Sequence, residues 1–383
     1  MHLESANIPE FETQKLNLPD PAFLTYQPQF PKMIGLKKEF GHYPNILVIG
    51  HGGSVTSLMG FYGALGSEKN VQFLSTVDPD YISALKAKLP KEQTLVIAIS
   101  KSGENVTQIE GLLQFADYPL LFITSKDSVL YKIGEKLNAK ILLHPAIGGR
   151  FIGFTEVALA PAAIAGIDVE ALYKGAMEMY KKYHEDNIAL KAAQIVYALE
   201  QKGFVDVFMP FYSHELFALS NLVVQLCHES FGKDGKGQTY LAVEAPESQH
   251  HTNQRFFGGR KNIAGFFVTL DRFKNVLQTS VPHGLQNIAV KDSSLFELHK
   301  MPLAFAMHSE FRGTWEDAKI HDIPILSLSV DAITPEEIGK FTAFWQLFTL
   351  YSSVLRNVDP FNQPQVENSK NISWTKRKDF KRT

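Results

Sequence analysis

The chain has 383 residues, of which 45% are hydrophobic and 20% are charged. This composition is typical of a globular protein of two or three domains and excludes a disordered, collagen-like or coiled-coil chain. The 38 basic and 40 acidic residues give a net charge of −2, so we expect no basic surface that could bind nucleic acid. The single cysteine, Cys227, can form neither an intrachain disulfide nor a cysteine-rich metal cluster.

The opening sequence, MHLESANIPEFETQKLN, lacks the basic and apolar regions of a signal peptide. The longest apolar stretch, residues 157–167, is shorter than the roughly 20 residues that a membrane helix needs. We therefore predict a cytoplasmic protein without a membrane partner. The basic residues near the C-terminus are interpreted as a solvated tail rather than a nucleic-acid contact; they are Lys376, Arg377, Lys378, Lys381 and Arg382.

From about residue 46 the chain repeats a short β-branched run, a turn with Gly or Ser, and a stretch of helical periodicity. This pattern predicts an open parallel α/β sheet. The strands predicted for a first sheet are residues 46–50, 72–76, 94–100, 119–125 and 139–145. After a charged helical stretch the pattern starts again and predicts a second sheet, with strands at residues 205–211, 239–245, 263–270 and 323–330.

These elements divide the chain into five predicted parts. Residues 1–44 form an N-terminal extension that wraps over the domains, and residues 168–203 form a helical connection. Residues 45–167 and 204–332 form the two α/β domains. Residues 333–383 contain a long helix, predicted over residues 334–357 with a capping box at Thr334 and Glu337, and a tail with Lys370.

Two loops at strand ends predict an anion site. GHGGS (50–54) follows the first strand and SKSGEN (100–105) follows the third. Glycine turns that open a helix present backbone N–H groups to an anion, and neighbouring parallel strands place their ends together. Neither loop has the dinucleotide or P-loop spacing. Serine hydroxyls without an Asp pair for magnesium indicate a phosphorylated metabolite, of which sugar phosphates are the natural candidates.

Four further segments combine charge with glycine or proline. Arg150 ends an IGGR turn, Glu229 lies in HESFGKDGKG at the end of an apolar helix, and His250 opens a helix after a strand. Lys370 lies in a segment predicted to be a loop. Taken singly, Arg150, Glu229 and Lys370 could be solvated surface residues. We predict no metal site, because His250 has neither a cysteine nor a second histidine at helical spacing.

In this order the segments resemble the glucose-6-phosphate isomerase family, whose sugar isomerase (SIS) domains carry two phosphate loops. The resemblance runs from about residue 45 to 371 and includes the pattern of Phe361, Gln363, Val366, Glu367 and Lys370. It implies two parallel-sheet SIS-type sandwich domains with a long C-terminal helix and tail. It also implies reversible isomerisation of glucose 6-phosphate and fructose 6-phosphate through an enediol, without a cofactor or metal.

The resemblance also implies roles for single residues. Glu229 would be the base, Arg150 would stabilise the enediolate, and His250 and Lys370 would act at the ring oxygen and the C1 hydroxyl. Gln363 would orient the sugar. The residues implied to hold the phosphate are Gly53, Ser54, Ser100, Lys101, Ser102 and Asn105. In the family the counterpart of His250 comes from the neighbouring subunit, so a homodimer is implied.

Five positions depart from the family pattern: His51 stands for Ile, Glu104 and Asn105 for Thr-Thr, Thr107 for Glu, and Gln365 for Gly. Two alternatives therefore stay open. One is a related phosphosugar isomerase that also accepts mannose 6-phosphate. The other is a non-catalytic sugar-phosphate-binding protein.

Overall fold

The computed structural model describes residues 1–380, and Lys381 and Arg382 of the predicted basic tail lie outside them. The strands are β1 (His2–Ala6), β2 (Asn45–Ile49), β3 (Asn70–Leu74), β4 (Thr94–Ser100), β5 (Leu120–Thr124), β6 (Lys140–Leu143), β7 (Asp206–Phe211), β8 (Thr239–Glu244), β9 (Ile263–Arg272), β10 (Ala289–Val290), β11 (Ser293–Ser294) and β12 (Ile325–Ala332). The helices are α1 (Phe30–Phe40), α2 (Thr56–Leu65), α3 (Pro79–Lys88), α4 (Val106–Leu113), α5 (Val129–Lys136), α6 (Glu156–Ile164), α7 (Val169–Tyr180), α8 (Ile188–Gln201), α9 (His214–Phe217), α10 (Ser220–Phe231), α11 (Thr252–Gly258), α12 (Leu303–Ile320), α13 (Pro335–Leu355) and α14 (Glu367–Lys378).

Two five-stranded sheets form the framework, which confirms the predicted α/β fold class. The first has the order β3-β2-β4-β5-β6 and is parallel throughout. The second has the order β1-β12-β9-β7-β8; its four later strands are parallel and β1 is antiparallel to β12. Within residues 1–380 no helix is long and apolar enough to cross a membrane.

The N-terminal extension differs from its prediction. Residues 2–6 do not wrap over the surface but form β1, the edge strand of the second sheet, with Leu3 opposite Leu328. Only Leu3 of this strand is fully buried. One buried residue gives too little alternation for the sequence to indicate a strand, and its partner lies more than 300 residues away in the chain.

The sheets and helices stack in five layers. The inner faces of both sheets, with Val48 from the first and Met209 from the second, pack on one shared core of helices. Leu112 of α4 lies in a separate cluster on the outer face of the first sheet. Trp315 of α12 covers the outer face of the second sheet in the same way. Parallel strands buried on both faces read as continuous apolar runs, which is why the sequence predicted them closely.

Helix α13 runs through the middle of this stack. The Thr334 side chain accepts a hydrogen bond from the backbone N–H of Glu337, as an N-cap should. The Glu337 carboxylate instead pairs with Lys340, so the reciprocal half of the capping box is not made. The long helix was predicted over residues 334–357, and the structure has it from Pro335 to Leu355. It is buried on all sides because it lies between the two sheets.

Helices α7 and α13 cross at very close range. A Cβ atom on Gly339 would lie 2.0 Å from the carbonyl oxygen of Leu172, and one on Gly175 would lie 1.9 Å from that of Glu336. Two glycines therefore let the two backbones touch. The predicted helical connection over residues 168–203 is thus two helices, α7 and α8, that belong to the central core.

Candidate active site

The two predicted phosphate loops lie side by side. Strands β2 and β4 are hydrogen-bonded neighbours with Ile49 opposite Ala98, so the loops at residues 50–54 and 100–105 leave the same edge of the sheet. The first loop also touches the turn that carries Arg150. A Cβ atom on Gly53 would lie 2.4 Å from the carbonyl carbon of Gly149, so this contact requires a glycine.

Arg150 is buried rather than solvated, with 4% of its surface exposed. Its Nε lies 3.1 Å from Oε2 of Glu229, at the last turn of α10. This ion pair explains why a carboxylate occurs at a helix C-terminus, where the helix dipole disfavours it. Burial lowers the pKa of Arg150, whereas the carboxylates of Glu229 and Asp359 raise it.

Gln225 holds the other oxygen of the Glu229 carboxylate. Its Nε2 donates to Oε1 of Glu229 at 3.0 Å, and its Oε1 accepts from the hydroxyl of Thr56 at 2.6 Å. The sequence reasoning missed this residue. The signal was available, because Gln225 precedes Glu229 by four positions and such pairs share one helix face.

Two buried cations fix the loop at residues 359–363. Arg150 donates to the carbonyl of Pro360 at 3.1 Å and to the side-chain oxygen of Gln363. Lys233 donates to the carbonyls of Asp359 at 2.6 Å and Asn362 at 2.7 Å. The sequence reasoning gave Lys233 no role although it belongs to the ESFGK segment. Through this loop the structure brings Gln363 to Arg150 and Glu229.

The second phosphate loop is shaped by its own hydrogen bonds. The Ser100 hydroxyl accepts from the N–H of Gly103 at 3.1 Å, and that of Ser102 accepts from the N–H of Glu104 at 3.3 Å. The side-chain oxygen of Asn105 caps α4 by accepting from the N–H of Gln108. The side chains of Lys101, Ser102 and Glu104 are exposed, and Ser54 of the first loop is half-buried.

Lys370 was predicted in a loop, and this was wrong: it lies in α14. Its Nζ pairs with Glu367 at 2.8 Å on an exposed helix. A bidentate ion pair between Arg377 and Glu110 links α14 to α4. Within the described residues Lys370 makes no ion pair or hydrogen bond with Glu229, yet its charge is near enough to lower the pKa of His51.

His250 lies on a different surface of the chain. It is exposed at the end of a 3-10 turn just before α11. It lines a surface pocket with Phe257, Asp317 and His321. Neither Arg150 nor Glu229 lines this pocket. The single chain therefore does not bring His250 to the Arg150–Glu229 pair.

The described part of the chain holds no group of three or more His, Cys, Asp or Glu side chains that could bind a metal ion. The arrangement at Arg150 and Glu229 is one carboxylate beside one cation, next to the first of two neighbouring loops that contain glycines and serine hydroxyls. Such a site can move a proton and stabilise a negatively charged oxygen.

No protein-family model matches the chain, but curated relatives do. The glucose-6-phosphate isomerase of Methanocaldococcus jannaschii is 27% identical over 354 residues, which cover 88% of this chain and 85% of the relative. The enzyme of the same name from Campylobacter jejuni is 26% identical over 356 residues, covering 86% of this chain and 84% of the relative. The resemblance to glucose-6-phosphate isomerase is confirmed.

Solved structures share the fold. A hypothetical protein from Thermus thermophilus has a TM-score of 0.83 and 24% identity, covering 90% of this chain and 86% of that one. A glucose-6-phosphate isomerase from Chlamydia trachomatis has a TM-score of 0.75 and 18% identity, covering 90% of this chain and 72% of that one. The layered pair of sheets is therefore the architecture that this isomerase structure also has.

Proposed function

We propose that this protein is a glucose-6-phosphate isomerase, which interconverts glucose 6-phosphate and fructose 6-phosphate through an enediol. The observation that carries the proposal is the ion pair of Arg150 and Glu229 beside the first phosphate loop. Curated relatives of the chain have that name, which supports glucose 6-phosphate and fructose 6-phosphate as the particular sugar phosphates. A proton acceptor and an oxyanion-stabilising cation lie together where a phosphosugar would reach them.

The chemistry needs one base that serves two adjacent carbons. Glu229 takes the proton from C2 of the open-chain aldose, and the electrons of that bond form the enediolate. Arg150 stabilises the negative charge on the enediolate oxygen, where charge develops. Glu229 then returns the proton to C1, while the hydroxyl on C2 gives up its proton and the oxygen on C1 takes one up, which completes the ketose. Gln225 and Arg150 hold the carboxylate in one orientation, as a base shared by two carbons requires.

The phosphate is held away from the reacting carbons. We propose that the backbone at Gly53 and the side chains of Ser54, Ser100, Lys101, Ser102 and Asn105 surround it. The first loop leads into α2 and the second into α4, so backbone N–H groups and the positive helix ends favour an anion there. Gln363, fixed by Arg150, orients the sugar between this site and Glu229.

His250 and Lys370 are proposed to open the sugar ring and to handle the C1 hydroxyl. Both lie apart from Glu229 in the single chain. We propose a homodimer in which the partner supplies His250, since a two-fold interface completes both sites at once. The segment between β9 and α12, together with the first turn of α12 (residues 273–305), supports this proposal because many of its apolar side chains are exposed; they include Val276 at 85%, Leu277, Leu285, Ile288, Phe296 and Phe305.

The two alternatives differ in what they require. A non-catalytic sugar-phosphate-binding protein needs the phosphate loops but gains nothing from a carboxylate base aligned by Gln225 and Arg150. An isomerase that also accepts mannose 6-phosphate uses the same enediol, and an assay with both sugars separates it from the main proposal. We place the protein in the cytoplasm, where sugar phosphates occur, with neither a membrane nor a nucleic acid as partner.

A coupled assay tests the proposal. Purified protein is supplied with fructose 6-phosphate, with mannose 6-phosphate, or with no sugar, and the formation of glucose 6-phosphate is followed. We expect rapid conversion of fructose 6-phosphate above the blank. Conversion of mannose 6-phosphate at a comparable rate would support the broader isomerase. Binding of both sugars without conversion of either would instead support the binding protein.

A further inference from the structure

His51 connects the two phosphate loops. Its Nε2 lies 3.3 Å from the hydroxyl oxygen of Thr107, and that hydroxyl donates to the side-chain oxygen of Asn105 at 2.6 Å. His51 belongs to the first loop, Asn105 ends the second, and Thr107 lies in the first turn of α4. These are three of the five positions that depart from the family pattern. The resemblance to the isomerase family therefore does not account for the contacts among these three side chains.

The hydrogen bonds of Thr107 determine which nitrogen of the His51 imidazole carries the proton. A threonine hydroxyl has one proton, and Thr107 uses it on Asn105. Its contact with His51 therefore needs a proton on Nε2 of the imidazole. In a neutral ring Nδ1 then has none, and this atom is buried without a hydrogen bond of normal geometry within residues 1–380. Nδ1 is therefore the ring atom that can take up a further proton, and the backbone of Ser75 raises the pKa of the ring by favouring its protonated form.

Without an anion between the two loops, the surroundings of His51 oppose protonation of Nδ1. Burial lowers the pKa of His51, the Ser75 carbonyl raises it, and the positive charge of Lys370 on α14 lowers it. The second loop contributes two further charged side chains, Lys101 and Glu104. The turn and helix beside the first loop contribute Arg150 and Glu229, which neutralise each other in their ion pair. A bound phosphate would add negative charge and reverse the balance.

We infer that His51 takes up a proton from solvent at Nδ1 when a phosphate group binds between the two loops, and that the resulting imidazolium strengthens the binding of the anion. This inference rests on the proposed function, because the phosphate position is part of that proposal. It assigns to His51 an anion-responsive role that an isoleucine at this position could not have. The affinity for the anion should rise as the pH falls through the pKa of the anion-bound form.

Calorimetry with sulfate isolates this effect. Sulfate stays a dianion over the range of histidine titration, whereas a phosphate ester has its own second pKa of about 6. Binding is measured between about pH 5.5 and 8, in buffers with different ionisation enthalpies, so that proton uptake is read directly. The variant His51→Gln can still donate to Thr107 but cannot be protonated. Glucose 6-phosphate is titrated in parallel.

We expect the wild-type protein to take up a fraction of a proton and to bind sulfate about threefold to tenfold more tightly at the acidic end, which corresponds to a shift of up to about one pKa unit. His51→Gln should take up no proton and should bind sulfate with an affinity that does not change with pH.

Equal proton uptake by both proteins would overturn the inference and leave the proposed function intact. Failure of sulfate and glucose 6-phosphate to bind either protein would overturn both. Melting curves check that the variant folds, and His51→Asn repeats the test if it does not.

Discussion

The carboxylate of Glu229 has two neighbours that fix its orientation, Arg150 on one oxygen and Gln225 on the other. Replacing Glu229 by Gln keeps the shape but removes the proton acceptor. We predict that turnover falls by about two to four powers of ten while substrate binding changes little. Steady-state kinetics and a binding titration measure the two effects separately.

The matched control is Glu316→Gln, an exposed glutamate on α12 that pairs only with Lys319 among the described residues. It should leave turnover unchanged. If Glu229→Gln retains turnover within about tenfold of the wild type, another residue is the base and the proposed roles are wrong.

Lys233 is a second residue whose loss has a specific expected effect. Its buried ammonium group binds two backbone carbonyls of the loop that carries Gln363. Lys233→Met should release that loop and lower stability by about 1.5–3 kcal/mol, the range for hydrogen bonds to charged groups. Because Gln363 then loses its position, kcat/KM should fall further than the change in stability alone explains. Unchanged unfolding in urea would show that the loop is held by other contacts.

The sequence predicted the neighbours of Glu229 only in part. The residues Arg150, Glu229 and Gln363 each stand in a short pattern, and the structure places them together. Gln225 was missed although its partner Glu229 lies only four positions later on the same helix. Lys233 was missed because its partners, the carbonyls of Asp359 and Asn362, lie 126 and 129 residues away in the chain. His250 and Lys370 could not be placed from the sequence, since their positions relative to Glu229 depend on tertiary contacts and, in the proposed dimer, on the partner chain. Their catalytic roles stay predictions.

At the scale of elements, helices α7 and α13 cross with their backbones in direct contact. Gly339→Ala places a methyl group 2.0 Å from a backbone oxygen that cannot turn away. We predict a loss of stability of about 1–3 kcal/mol or more, as for other overpacked cores. Thermal or urea unfolding measures it.

The control is Gly313→Ala in α12, where an added Cβ atom meets nothing within 4 Å. Alanine has the higher helix propensity, so this variant should be neutral or stabilised by up to about 1 kcal/mol. If both variants unfold alike, the close crossing does not limit the packing of the core.

The sequence predicted strands more accurately than helix packing. Buried parallel strands are short, uniform apolar runs, and strand 94–100 was predicted with the bounds that the structure has. Helices α7 and α8 were read as a charged connection because their exposed faces carry lysines and acids. The buried face of α8 is rich in alanine, and that of α7 includes Gly175 and Ala176. Small residues give a weak hydrophobic signal even where they let helices approach closely.

At the scale of the whole molecule, the proposed dimer predicts that one active site is built by two chains. Glu229→Gln and His250→Ala chains, each inactive as a homodimer, should regain activity when they are mixed and reassembled. One of the two composite sites in each heterodimer would then hold both intact residues, so up to about half of the wild-type activity per dimer is expected.

Differently tagged chains allow the heterodimers to be isolated before the assay. A wild-type protein that sediments as a monomer at the assay concentration with full activity would contradict the proposal. So would purified heterodimers with no more turnover than either parent.

The most direct test of the proposed chemistry is the isomerisation of fructose 6-phosphate in deuterium oxide, with the glucose 6-phosphate analysed by NMR. An enediol formed by Glu229 lets the transferred proton exchange with solvent, so deuterium should appear at C2 of the product. With Glu229→Gln both the product and its label should fall together. A product formed at the full rate and with the same deuterium content by the Glu229→Gln variant would contradict proton transfer by this residue.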